Sequence, residues 1–173
     1  MPNWCSNYTK IYHEDSSKID AIEQELMKEE PQLFNKLVPR PLSEEENWYD
    51  WNVSNWGTKW ETQTEDGCIN DQTDESITVC FDTAWSPPIE FYSKMEDLGW
   101  SVKAYYFEPG MMFCGMYDST EEGDETLSAR IDFDDSDWRD KLPEALAEYL
   151  ESDYDDHLEY MREMENENDE AKV

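Results

Sequence analysis

The chain has 173 residues, a length typical of one domain or of one domain with an extension. It carries 13 Lys and Arg against 44 Asp and Glu, so its formal net charge is −31. Such a charge repels phosphates, which argues against direct binding to DNA, RNA or an anionic membrane and favours a basic protein partner.

The first half of the chain predicts short elements separated by polar connections. Asp15 or Ser16 can cap a helix whose apolar residues recur at helical spacing, and Gly57 predicts the left-handed end of a second helix. The predicted elements, in order, are a strand at 6–13, a helix at about 16–29, an irregular connection at 31–47, a helix at 48–57, a short strand at 58–62 and polar turns at 63–75.

The next segment predicts a strand, a helix and a hairpin. Ser86 before Pro87 has the pattern of an N-cap followed by proline at the first helical position, and Gly99 is placed to end that helix. The helix is expected to bury Ile89, Phe91, Tyr92, Met95 and Leu98. The elements are a strand at 76–82, a helix at 87–98, strands at 100–107 and 111–117 joined by a turn at 108–110, and a further strand at 127–133.

From Asp137 onward the apolar residues recur at helical spacing, and Pro143 predicts that the regular helix begins near that residue. Residues from about 166 to 173 lack apolar anchors and are predicted to fray. The expected apolar stripe consists of Leu142, Leu146, Tyr149 or Leu150, Tyr154, Leu158 and Met161.

The order strand, helix, strand, strand, helix, strand predicts an α+β fold of the ferredoxin-like split βαβ type. We expect an antiparallel sheet with helices on one face, extended by an extra hairpin strand and a long acidic C-terminal helix. The expected domains are 1–135, the ferredoxin-like domain, and 136–173, an acidic helical extension packed on it and frayed at its end.

Several separated motifs occur in order between residues 2 and 117: Pro2-Asn3-Trp4-Cys5-Ser6-Asn7, Trp48-Tyr49-Asp50-Trp51-Asn52, Asn55-Trp56-Gly57-Thr58-Lys59-Trp60, Phe81-Asp82-Thr83-Ala84-Trp85-Ser86-Pro87-Pro88, Tyr106-Phe107-Glu108-Pro109-Gly110 and Cys114-Gly115. Together they resemble the YubB-type proteins, which are small proteins of phages and plasmids with a ferredoxin-like domain. The resemblance implies an origin in a mobile element and supports the fold, but it carries no catalytic residues and implies no activity.

The sequence favours a folded protein of the cell interior, which for a mobile element is the cytoplasm of the host. Aromatic residues make up 14% of the chain and can bury a core despite the charge. No run of 18 apolar residues is present, and the first residues lack the pattern of a secretion signal. The 4 cysteines have no CxxC spacing, so reduced and mostly buried thiols are expected.

The C-terminal end concentrates the acid. Residues 118–173 hold 22 acidic and 5 basic side chains, a net −17, whereas residues 1–117 hold 22 and 8, a net −14. At about 1.5 Å rise per residue, acids three or four positions apart place a carboxylate every 5–6 Å along a helix face, which resembles a run of phosphates. A solvated face that only keeps the chain soluble is the alternative. The candidate partner-binding acids are Asp134, Asp135, Asp137, Glu144, Glu148, Glu151, Asp155, Glu159 and Glu163.

A second candidate surface is the tryptophan-rich segment 48–60, together with Trp4 and Trp85. Stacking of nucleic-acid bases would need a cationic surround, and Lys59 is the one basic residue of this segment. The favoured interpretation is that these aromatic side chains cover one side of the sheet as part of the core. A groove that anchors a protein partner is an intermediate option between this core role and base stacking. The alternative partner-binding residues are Trp48, Trp51, Trp56, Lys59 and Trp85.

Catalysis and metal binding are disfavoured by the motifs. Cys5 with His13 has no recognisable signature, and His157 lies among acids on a predicted helix. Residues 132–137 resemble part of a calcium loop, but the sixth position is Asp137 rather than glycine. We therefore expect no enzyme activity, no cofactor and no dedicated metal site.

The sequence leads to two functional hypotheses. In the first, the protein is a phage or plasmid inhibitor whose acidic surface mimics nucleic acid and occludes the basic groove of a host protein, such as a CRISPR or restriction effector. In the second, a tryptophan-rich face binds a protein partner and the acidity serves only solubility.

Overall fold

The computed structural model describes residues 3–62, 68–120 and 125–170, and the side chains of 125 and 167–170 are left aside. Within these ranges the chain is a mixed α+β structure. It divides into two compact units, Met1–Ala129 and Arg130–Val173. The division falls at the end of the last strand, a few residues before the boundary predicted at 135.

A six-stranded antiparallel sheet forms the frame of the first unit, with the strand order β2-β3-β1-β4-β5-β6. The strands are β1 (Trp4–Tyr12), β2 (Ile69–Gln72), β3 (Ser76–Ala84), β4 (Ser101–Glu108), β5 (Phe113–Asp118) and β6 (Glu125–Arg130). The central strand β1 pairs with β3 on one side and with β4 on the other. Alternate residues of β1 are buried, as expected for a strand with one face against a core.

The helices in the described part of the first unit are α1 (Ser16–Leu26), α2 (Leu33–Leu37), α3 (Trp48–Trp56) and α4 (Ile89–Asp97). Of the two residues predicted as caps of α1, Asp15 and Ser16, the cap is Asp15, whose Oδ1 accepts the Ser17 N–H at 3.0 Å. Gly57 and Gly99 both have positive φ, as their places after helices predicted. The apolar side chains of the helices and sheet form one buried cluster: Ile11, Ile19, Ile22, Leu26, Leu33, Phe34, Val38, Trp56, Ile77, Val79, Phe81, Phe91, Tyr92, Met95, Trp100, Val102, Ala104 and Tyr117.

The second strand lies elsewhere than the sequence predicted. Residues 58–61 form bends rather than a strand, and β2 lies within the segment expected to be polar turns, part of which (63–67) is outside the described residues. The connection at 31–47 also contains α2 and a 3-10 turn at Leu42–Glu44. Strand β2 was missed because three of its four residues, Ile-Asn-Asp-Gln, are polar and because it lies at the edge of the sheet.

The start of α4 and its apolar face also differ from prediction. The helix begins at Ile89 with Pro88 at the cap position, and the Ser86 hydroxyl instead donates to the carbonyl of Gly57 at 2.8 Å. Phe91, Tyr92 and Met95 are buried as predicted, whereas Leu98 follows the helix and is exposed.

The second unit consists of a turn-rich segment, a 3-10 turn at Arg139–Lys141, and helices α5 (Glu144–Tyr149) and α6 (Glu151–Glu170). The predicted start near Pro143 is confirmed, but Leu150 separates two helices where one was expected. Leu146 and Leu150 are fully buried, whereas Met161 is exposed, so the apolar stripe ends earlier than predicted. Helix α6 continues through Glu170, beyond the predicted onset of fraying, and residues 171–173 are outside the described ranges.

Candidate interaction surfaces

The acidic segment 132–137 is a sequence of tight turns held by its own carboxylates. Asp132 Oδ1 accepts the N–H of Asp134, and Asp135 Oδ1 accepts the N–H of Asp137, each at 3.0 Å. These side chains therefore stabilise backbone turns, as Asp often does. Among the described residues no group of three or more potential ligands is arranged to hold a metal ion.

An aromatic trio within the second unit brings this segment to the start of α6. The ring centroids of Phe133 and Trp138 are 5.2 Å apart, and Tyr154 of α6 lies 5.6 Å from Phe133 and 5.2 Å from Trp138. His157 Nε2 is also 3.0 Å from Asp134 Oδ1. Packing of buried aromatic rings thus places the acidic turns beside the acidic helix.

Among the described residues, three of the nine predicted partner-binding acids contact a basic side chain. Asp134 contacts His157, Asp135 pairs with Lys141, and Glu151 pairs with Arg139. The hydrogen bond from Lys141, with that from the Asp137 N–H, lowers the pKa of Asp135. For the other six, no ion pair is present among the described residues: Asp137, Glu144, Glu148, Asp155, Glu159 and Glu163.

We call Asp155, Glu159 and Glu163 of α6 the acidic row. All three are exposed, and every described side chain from Glu159 to Asn166 is exposed as well. Because 3.6 residues make a turn, each step of four residues advances the row by about 6 Å and rotates it by about 40°. The acidic row therefore winds slowly around the helix and does not stay on a single face.

The like charges of the acidic row destabilise helix α6. Like charges four residues apart destabilise a helix by about 0.2–0.5 kcal/mol per pair. The last turn of α6 contains no basic residue, although a cation there would stabilise the helix dipole. Helix stability therefore does not explain this arrangement of charge.

The tryptophans predicted as a binding face are divided between the core and the surface. Trp56 is only 2% exposed, and its indole N–H donates to the carbonyl of Val38 at 3.0 Å. Trp51 is half-buried against the core and lies edge-on to Trp56. Trp48 and Trp85 are exposed. For Trp56 the core interpretation is the one that the burial supports.

A different set of aromatic side chains meets at the surface around one lysine. We call Tyr49, Lys59, Trp60 and Trp85 the lysine–aromatic cluster. Lys59 Nζ lies 4.3 Å from the ring centroid of Trp60, 5.4 Å from that of Trp85 and 5.7 Å from that of Tyr49. Trp85 stacks on Trp60 with ring centroids 6.1 Å apart, and the Trp4 ring lies tilted with its centroid 6.2 Å from that of Trp60. Tyr49 and Trp60 lie within the candidate segment 48–60, although they were not named individually among the partner-binding residues.

Trp85 is held in a strained backbone conformation. Its φ is 66°, and the Ser86 N–H donates to the carbonyl of Ala84 at 2.9 Å, which closes a three-residue turn around Trp85. Such turns with positive φ at the centre are rare and strained, and a bulky side chain makes the strain larger. The cost is of order 1–3 kcal/mol. The turn leaves the Trp85 side chain 46% exposed, so burial does not explain it.

The thiols and the histidine considered for catalysis are far apart. Cys5 is near the start of β1 and His13 just follows its end, so at about 3.3 Å per residue they are separated by about 26 Å. Cys5 and Cys114 are buried, whereas Cys80 is exposed, against the expectation of mostly buried thiols. Burial raises the pKa of Cys114 to about 11.

No family model matches the chain, and no curated protein matches it. Among solved structures, the crystal structure of a protein api92 from Yersinia pseudotuberculosis, which carries the family label DUF1281, aligns with part of the chain. The alignment has a TM-score of 0.40 and 19% identity, and it covers 57% of this chain and 39% of that protein. Similarity at this level assigns the chain neither a family nor a function.

Proposed function

We propose that the protein is an inhibitor from a phage or plasmid that binds a basic, nucleic-acid-binding protein of the host cytoplasm. The exposed acidic row of α6 is the observation that carries this proposal. Three carboxylates follow one another without a basic partner among the described residues, in an order that costs helix stability. A groove that normally holds DNA or RNA has the complementary charge, and CRISPR or restriction effectors have such grooves.

The mechanism is competitive occlusion and needs no catalysis, cofactor or metal ion. Opposite charges speed the encounter, and exposed charge pairs are weakened as salt shortens the Debye length from about 10 Å at 0.1 M to about 3 Å at 1 M. Acids already paired within the chain, such as Asp135 with Lys141, contribute less to this attraction.

The fold proposed for the first unit is the ferredoxin-like split βαβ arrangement. With α2 and α3 treated as insertions between α1 and β2, the order β1, α1, β2, β3, α4, β4 and the sheet order β2-β3-β1-β4 support this assignment. Strands β5 and β6 then extend the sheet beyond β4. The sheet is proposed as a rigid frame.

The test compares two triple variants that remove the same number of charges. The acidic-row variant D155N/E159Q/E163Q changes the three exposed acids of α6, and the control D20N/E45Q/D74N changes three exposed acids of the first unit. Each tagged protein is used to capture proteins from a bacterial lysate at low and high salt, with and without added duplex DNA.

We expect the wild type and the control to capture nucleic-acid-binding proteins that DNA displaces, and the acidic-row variant to lose most of this capture. If both variants capture equal amounts and circular dichroism shows both to be folded, the acidic row is not required for binding the partner. Capture that DNA does not displace would exclude mimicry.

The second candidate function, a protein-interaction module, is favoured by the exposure and backbone strain of Trp85. In that case W85A loses partner binding while the acidic-row variant keeps it. Trp56→Ala is not informative, because Trp56 lies in the core.

A further inference from the structure

The lysine–aromatic cluster has the geometry of a cation site. The face of each aromatic ring is electronegative and attracts a cation within about 6 Å of the ring centroid. Three ring centroids, those of Tyr49, Trp60 and Trp85, satisfy this distance to the same atom, Lys59 Nζ. The rings therefore converge on a volume of the size of one cationic group.

Lys59 Nζ occupies this volume. Among the described residues no ion pair involves Lys59. In the described part of this protein of net charge −31, the ammonium group thus lies among ring faces.

The lysine–aromatic cluster also requires an unfavourable backbone conformation at Trp85. The strained turn at Trp85 is closed by hydrogen bonds at Ser86 and Asn3, since the Trp85 N–H donates to the Asn3 carbonyl at 2.9 Å. Backbone strain at an exposed aromatic side chain is typical of a binding site, because folding gains little from it.

We propose that Tyr49, Trp60 and Trp85 bind an arginine side chain of the protein partner, and that Lys59 is an internal occupant which this arginine displaces. A guanidinium is planar and weakly hydrated and stacks on indole rings better than an ammonium does. This proposal rests on the proposed function in one respect only, namely that the partner is a protein with a basic groove. Nucleic-acid bases are the weaker occupants, because their phosphates are repelled by the charge of the chain.

The direct test uses the whole protein and a small probe. N-acetylarginine amide is titrated at millimolar concentration while the indole N–H signals are followed by NMR, and neutral N-acetylcitrulline amide serves as the matched control. We expect the signals of Trp60 and Trp85 to shift with the arginine probe only. The indole N–H signal of the buried Trp56, which is hydrogen-bonded to the Val38 carbonyl, should not shift and serves as the internal reference.

Two variants assign the response to the cluster. Lys59→Met removes the internal occupant while keeping a side chain of similar length, so the Kd for the arginine probe should fall at least about threefold. Trp85→Ala should abolish the shift of Trp60. No shift with arginine, an equal shift with citrulline, or weaker binding by a folded K59M protein would overturn the proposal.

Two further experiments distinguish the arginine proposal from binding of a small cationic compound and from the proposed role of the acidic row. A stronger response to choline than to arginine amide would reassign the site to a small quaternary ammonium compound and overturn the assignment to a protein side chain. The acidic-row variant D155N/E159Q/E163Q should keep the arginine response. If it does while losing its capture of host proteins, the cluster and the acidic row act separately, and either can fail alone.

Discussion

Trp85 stacks on Trp60 with ring centroids 6.1 Å apart, and it does so from a backbone position with φ of 66°. The contact between these two rings is therefore made at the expense of backbone strain. This relationship links the stability of the fold to the candidate binding site.

The strain can be measured by comparing Trp85→Gly with Trp85→Ala. Both lose the indole ring, but only alanine retains a Cβ at positive φ, so the glycine variant should have the higher free energy of unfolding by about 1 kcal/mol. Denaturant unfolding measures the difference. At Trp48, the first residue of α3, the same pair should show the opposite sign, because glycine is the poorer helix residue. An alanine variant as stable as the glycine variant at position 85 would exclude the strain.

Gly115 is required by the close approach of Tyr106. The two residues are paired across β4 and β5, and the Tyr106 hydroxyl donates to the Leu127 carbonyl at 3.0 Å. A Cβ on residue 115 would lie 2.2 Å from both of those oxygens. Gly115→Ala should therefore lower the free energy of unfolding by about 1–3 kcal/mol or more. Gly99→Ala, where a Cβ meets no atom within 4 Å, should cost less and shows the effect of positive φ alone.

Asp118 should stabilise the protein above pH 4. Burial opposes its ionisation, but hydrogen bonds from the Thr120 hydroxyl and N–H and from Lys103 outweigh this effect and lower its pKa below the ordinary 3.8. The stabilisation is therefore present above that value and is lost as the pH falls through the lowered pKa of the folded state. Asp118→Asn should cost about 1–3 kcal/mol near neutral pH and progressively less toward pH 2, measured by urea unfolding. A cost that does not change with pH would contradict this prediction.

Glu61 should have the opposite pH dependence. Its carboxylate accepts the N–H groups of Phe34 at 2.6 Å and Asn35 at 3.0 Å, but burial dominates and raises its pKa above the ordinary 4.5. Just above pH 4.5 the folded state holds a proton that the unfolded state has released, so the contribution of Glu61 to stability falls as the pH rises through the raised value. The advantage of the wild type over E61Q should thus shrink with rising pH. Glu46→Gln, at an exposed position, provides the control for the substitution itself.

The outer half of α6 should be dispensable for folding. The described side chains from Glu159 to Asn166 are all exposed, so deletion after Leu158 should change the free energy of unfolding by less than about 1 kcal/mol while removing two members of the acidic row. Leu150→Ala, at a fully buried position, should instead cost about 2–5 kcal/mol. A large loss of stability on deletion would show that the segment belongs to the fold.

Local patterns predicted the elements whose determinants are close in the sequence. Strand β3 has alternating side chains, α1 has Asp15 as its cap, and Gly57 and Gly99 follow helices where left-handed geometry is needed. Each of these patterns involves residues that are close together in the sequence, and the structure confirms each predicted feature.

Elements stabilised by remote residues could not be predicted. Helix α2 has no side-chain cap at Gln32, and Glu61 supplies the acceptor for its first N–H groups from a distant part of the sequence. Strand β2 is polar in three of its four residues, and it forms because β3 offers it an edge to pair with. In both cases the stabilising partner lies far along the chain, so no local pattern reveals the element.

By itself, the amino-acid sequence determined the charge of the protein, the concentration of acid near its C-terminal end, and the periodicity of its helices and strands. Only the tertiary structure decided which aromatic side chains are core and which are surface. Trp56 and Trp60 are four residues apart, yet Trp56 is buried and bonds to Val38, whereas Trp60 is only partly buried and contacts Trp4 and Trp85. Burial depends on contacts from segments that meet only after folding, whereas charge and periodicity belong to the chain itself.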